Sequence, residues 1–166
     1  MLEELRKYIK ENYERPIIRK AKYRARKSIE FDSCCAEVGS AYADISTFIK
    51  QKDEYNDFQT MLFKLIDERN LKDSDVYNKV HIDRRLFSKI RNDNTYHPSK
   101  ETIILLGLSL ELSEKEIEKL LDSASYSLPK NNYYDLIIRF CFINKIYKLT
   151  KVNSLLEEYN CKLFSY

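Results

Sequence analysis

Two basic clusters carry the chemistry that stands out in this chain. The first, RPIIRKAKYRARK (residues 15–27), holds Arg15, Arg19, Lys20, Lys22, Arg24, Arg26 and Lys27 with no acid, interleaved with Tyr23 and two isoleucines. A run of this kind is either an arm that contacts nucleic-acid phosphates or a solvated, partly helical segment. The second cluster is DRRLFSKIR (residues 83–91). At helical spacing Leu86, Phe87 and Ile90 turn inward, which leaves Arg84, Arg85, Ser88, Lys89 and Arg91 on the outer face. A guanidinium offers paired N–H donors to any group with two acceptors, and a serine hydroxyl both donates and accepts. The ordinary alternative is a solvated helix face with no ligand.

Other chemistry is thin. There is no P-loop, no Gly-rich phosphate cradle and no nucleophile-elbow serine. Cys34 and Cys35 are adjacent while Cys141 and Cys161 are distant singles, which is not zinc-ligand spacing. His81 and His97 lack cysteines at matched spacing. Cys141 reads as a small core residue, and Cys34–Cys35, beside the basic run, as a thiol pair with a lowered pKa at most. Neither an enzyme nor a cofactor or metal is expected.

The elements that must position the basic face are helices. The chain has 166 residues, 43% hydrophobic and 33% charged, with only two Gly and three Pro, so turn-rich sheet folds are disfavoured. Net charge is +3, from 29 Lys+Arg against 26 Asp+Glu, so where the charge lies says more than its sum. No run approaches the roughly 18 apolar residues of a membrane span. MLEELRKYIKENYE has no signal-peptide core, and the expected location is the cytoplasm.

The expected class is all-α, in three parts. Residues 1–57 form an N-terminal helical extension, with a helix over Leu2–Tyr13, the basic arm, and a helix over Ala36–Gln51. Residues 58–124 hold five short helices. The first runs over 57–71, with Phe58, Met61, Leu62, Leu65 and Ile66 on one face and Asp57 as cap. Asp73 or Ser74 caps the second, Asp83 the third and Ser99 the fourth; Ser113 with Glu116 is a capping box for the fifth. Residues 125–166 form a helical tail. Its segment Leu136–Ile143 is apolar on nearly every face, so it either threads under the central domain or forms a subunit interface. A last helix covers Val152–Tyr159.

The string from Leu71 to Leu121 resembles the phage-repressor or xenobiotic-response-element (lambda-repressor-like) family of helix-turn-helix domains. Leu71, Val76, Val80, Ile82, Phe87 and Ile90 fall on the family's core positions, Ser88 on its serine, and Pro98, Ser99 and Thr102 on its "PS..T". The resemblance spans residues 58–124. It implies that the helix 84–91 enters the major groove of double-stranded DNA while the preceding helix crosses the backbone. On that reading Arg84, Arg85 and Ser88 meet base edges, and Lys72, Lys79, Lys89, Arg91, Ser99 and Lys100 meet phosphates. It further implies a repressor-like regulator acting as a dimer, with Leu136–Ile143 as the candidate interface. A narrower resemblance runs over most of the chain. The segments YIK..Y, F..ML..LID, IDR.LFSKIR.N..Y.PSK.T and YDLII are similar to a group of bacterial helix-turn-helix proteins, which implies no chemistry of its own.

Three residues depart from the family pattern. Asp73 stands where Gln is common, His81 replaces the turn Gly and must take the left-handed conformation, and Asp93 replaces a loop Gly. Asp73, Asp75 and Asp93 lower the positive potential near the expected groove. The alternative reading is therefore a protein-interaction or adaptor module, such as an accessory factor of phage defence or counter-defence, that keeps the fold without reading bases.

Overall fold

A computed structural model describes residues 1–15, 57–93 and 95–165. Among these the chain is all-helical: α1 (Leu2–Asn12), α2 (Phe58–Glu68), α3 (Asp73–Lys79), α4 (Arg84–Asn92), α5 (Lys100–Ser109), α6 (Glu114–Ser123), α7 (Tyr133–Ile143) and α8 (Leu149–Glu158). The helix expected over Ala36–Gln51, the Cys34–Cys35 pair, and Arg19, Lys20, Lys22, Arg24, Arg26 and Lys27 of the basic arm lie outside the described residues. No described helix is long and apolar enough to cross a membrane.

The centre is α5. It buries Thr102, Ile103, Ile104, Leu106, Gly107, Leu108 and Ser109, and it packs against α3 and α6. A helix apolar on every side belongs inside, with others around it. Gly107 marks the closest approach: a Cβ there would lie 2.5 Å from Ile117 Cδ1 on α6 and 3.2 Å from Phe142 Cζ on α7. Ser99 caps the start of α5 by accepting from the Thr102 amide at 3.2 Å.

The apolar tail helix α7 is absorbed by its own chain. Leu136, Ile137, Ile138, Phe140, Cys141 and Phe142 are all buried, against α1, α6 and α8. Of the two expectations for Leu136–Ile143, packing within the chain is the one seen, and this burial lends no support to a homodimer through that segment. Of the apolar residues in Leu136–Ile143 only Ile143, 42% exposed, is left outward. Buried Leu5 and Ile9 bring α1 onto α7. Tyr8 packs on Phe140, and Tyr13 stacks on Tyr133 with ring centroids 4.7 Å apart.

Six helices end in the same way, and none uses glycine. Asn70, His81, Glu111, Ser125, Lys145 and Asn160 all have positive φ, between 50° and 59°. In each case the next residue's N–H returns to a carbonyl five residues earlier, as from Leu112 to Gly107 (3.1 Å) and from Ile146 to Cys141 (2.8 Å). These are Schellman closures, which usually take glycine because a Cβ makes the left-handed conformation costly. Ser125 and Lys145 are exposed. Ser125→Gly and Lys145→Gly are each expected to raise the unfolding free energy by about 0.5–1 kcal/mol, the relief of strain less glycine's extra chain entropy. Urea denaturation midpoints that stay level or fall would rule this out.

At the start of α6 the capping box is complete, with Glu116 accepting from the Ser113 amide at 2.7 Å and from Arg69 at 2.7 Å. Burial alone would raise the Glu116 carboxyl. The Ser113 amide and hydroxyl and the Arg69 guanidinium overcome it and bring the pKa down to about 2. A carboxyl held this low stabilises the fold above the ordinary carboxylate range, and that stability is lost as pH falls toward 2.

Candidate nucleic-acid interface

The link between α3 and α4 is a tight turn made by residue type. His81 adopts φ 57°, and the Ile82 amide returns to the Tyr77 carbonyl at 2.9 Å. Val80 and Ile82 anchor the turn in the core. Asp83 then starts α4 by accepting from the Arg85 amide at 2.6 Å.

Three things hold α4 from behind. Ile90 is fully buried and Phe87 is 2% exposed. Phe87 sits between Phe63 of α2 (centroids 6.2 Å, edge-on) and Tyr77 of α3 (5.6 Å). Buried Gln59 of α2 donates its Nε2 to the carbonyls of Ile90 (2.6 Å) and Asp93 (2.8 Å), which satisfies the orphan carbonyls at the end of α4. In the same manner Ser109 donates to the Val76 carbonyl at 2.6 Å and ties α3 to α5. Gln59 was not singled out from the sequence. The available signal was its spacing of three and seven residues from Leu62 and Ile66, which puts it on the core face of α2.

On the outer face Arg84, Arg85, Ser88 and Lys89 are all exposed. Among the described residues neither Arg84 nor Arg85 has a side-chain partner. Lys89 lies over the Tyr96 ring, 4.4 Å from its centroid. The helix runs one residue beyond the expected Arg91, and the added Asn92 donates to Ser88 Oγ at 3.1 Å. Beside this face lies an open groove of about 580 Å³, with Lys72, Asp73 and Ser74 on one wall and Arg84, Ser88 and Arg91 on the other.

Several residues fall elsewhere than the sequence suggested. Asp73 does not cap α3. Lys72 occupies the cap position with no side-chain bond, and Asp73 is the first helical residue. Its carboxylate reaches across the groove to Arg91 at 2.6 Å, while Arg91 also lies 4.1 Å from the Phe63 ring centroid. Asp57 likewise makes no cap bond. Leu71, expected in the core, is 37% exposed, because the left-handed turn at Asn70 carries it out to the surface.

Two lysines expected at phosphates are committed within the chain. Lys79 donates to the Ser109 carbonyl (3.0 Å) and to Glu111 (2.6 Å). Lys100 pairs with Asp135 at 2.5 Å, where Asp135 is only 3% exposed. Ser99 spends its hydroxyl oxygen on the α5 cap. Arg15, the one described residue of the basic arm, is exposed.

No other chemistry gathers around this face. Among the described residues no cluster of three or more His, Cys, Asp and Glu could hold a metal ion. Cys141 is fully buried, and burial pushes its thiol up to about 12, the wrong direction for a nucleophile. Set against known proteins, the chain matches no family model, no curated protein and no solved structure.

Proposed function

We propose that α2–α6 form a helix-turn-helix domain of the lambda-repressor type, and that the protein is a repressor-like regulator binding double-stranded DNA through α4. Arg84, Arg85 and Ser88 face base edges in the major groove; Lys72 and Lys89 face phosphates. The observation that carries this reading is the pair of exposed arginines on the first turn of a short helix, with no side-chain partner among the described residues. That helix is capped at its start and gripped from behind by Gln59, Phe87 and Ile90. An exposed helix start with free guanidinium forks is what groove reading needs.

The experiment is selection from a random double-stranded DNA pool, followed by a salt titration on the enriched sequence. The reading expects an enriched motif and an affinity that falls steeply with salt, by a factor of ten or more between about 50 and 200 mM. An empty selection with no salt-dependent binding would leave the second reading, a protein-contact module. The Asp73–Arg91 pair favours that alternative, since it neutralises a cation on the groove wall.

The same pair supplies a further prediction. A phosphate approaching the groove meets a carboxylate and competes with it for Arg91. Asp73→Asn removes both obstacles, so affinity for DNA of any sequence is expected to rise roughly five- to tenfold, with one more counterion released. The gain should vanish in an Arg91→Ala background. Equal affinity of Asp73→Asn and the parent protein would show that the pair does not oppose binding.

A further inference from the structure

Arg84, Ser88 and Asn92 stand four residues apart on α4 and form a single ridge along its exposed face. Their side chains differ in what they have free. Among the described residues Arg84 has no side-chain partner for its guanidinium fork. Asn92 spends one Nδ2–H on Ser88 Oγ, and no described residue takes its second N–H or its Oδ1. That bond restrains the carboxamide and leaves it one N–H donor and one Oδ1 acceptor with no partner among the described residues. Adenine presents the complement in the major groove: the N7 acceptor beside the N6 donor. Ser88 keeps its own O–H to donate. The ridge spans about 12 Å from Arg84 to Asn92, which is three or four base-pair steps at about 3.4 Å each.

Resting on the DNA reading above, we infer that Asn92, oriented by Ser88, is a specificity-determining residue. It reads an adenine three or four base pairs from the guanine read by Arg84. The sign of the amide's remaining bonds selects adenine over guanine, whose O6 and N7 are both acceptors and suit the arginine instead. Ser88 is then a positioning residue for Asn92 as well as a neighbour of the bases.

The test is parallel selection from one random pool with the parent protein, Asn92→Ala, Ser88→Ala and Arg84→Ala, with thermal melts to confirm folding; all three residues are exposed. The expected parent motif contains a G and an A at that separation. Asn92→Ala should lose about 5- to 150-fold of the preference for A at that one position and keep the G. Arg84→Ala should do the reverse, and Ser88→Ala should weaken the A preference although Asn92 is intact. A parent motif that Asn92→Ala reproduces unchanged overturns the inference and leaves the DNA reading standing. A parent protein that enriches no motif overturns both.

Discussion

Lys100→Met is expected to cost about 3–5 kcal/mol of unfolding free energy, because it strands a carboxylate inside the protein. Asp135 is 3% exposed on α7, and Lys100 Nζ at 2.5 Å is its ion-pair partner. Methionine keeps the length of the lysine stem and removes only the charge, so lost packing contributes little. The internal contrast is Lys79, whose pair with Glu111 is 46% and 57% exposed on its two sides. Lys79→Met should cost no more than about 1 kcal/mol. Urea unfolding of both variants decides the matter. A loss of under about 1 kcal/mol for Lys100→Met would mean that Asp135 does not depend on the pair. Lys100→Met with Asp135→Leu should recover much of the stability, since replacing both partners leaves no buried charge. The variant also tests whether Lys100 meets DNA: well below its melting temperature, Lys100→Met should bind DNA as the parent does.

The double variant Arg84→Ala, Arg85→Ala is expected to remove the arginines' share of the sequence discrimination, leaving only the preference read by Asn92 and Ser88, and to leave the fold intact. Each bidentate arginine–guanine contact is worth about 1–3 kcal/mol of discrimination, so the pair accounts for roughly 30-fold to 10⁴-fold. Both side chains are exposed and bonded to no described residue, so the melting temperature should move little. Fluorescence anisotropy on the selected sequence and on a scrambled duplex separates the two components. Affinity for the scrambled duplex should fall only by the lost phosphate attraction, whereas affinity for the selected one should fall further, to within the preference that Asn92 and Ser88 still supply. An undiminished preference for the selected sequence would show that neither arginine meets a base.

Most of the apolar register and three of the five expected caps were the legible part of this chain; Leu71 and the caps at Asp57 and at Asp73 or Ser74 were not. Asp83, Ser99 and the Ser113–Glu116 box sit where their side-chain chemistry requires, and the left-handed His81 was implied by the resemblance, in which a turn glycine stands at that place. Residues with two plausible bonding partners were not legible. Asp73 looks like a helix cap, but the distance across to Arg91 exists only once α3 and α4 have packed. Lys100 looks like a surface cation until α7 brings Asp135 to it. Asn92 reads as the first residue of a polar loop, and only the extra helical residue places it over Ser88. The same limit applied to α7. Its apolar faces called for burial on two sides, but which helices supply it is a matter of tertiary arrangement, and α1 comes from the far end of the sequence.

Gln59 has a bearing on how fast α4 can work. Its amide grips the last turn of that helix at two carbonyls, while Asp83 fixes the first turn. A helix fastened at both ends has no disordered state to leave before it meets a partner. On the proposed DNA reading, encounter then needs no ordering step, and the association rate is expected to be governed by diffusion and by the attraction between the arginine face and an anionic surface. Gln59→Leu, which removes the grip and keeps the bulk, would convert that encounter into a gated one, visible as a slower on-rate with a weaker dependence on ionic strength.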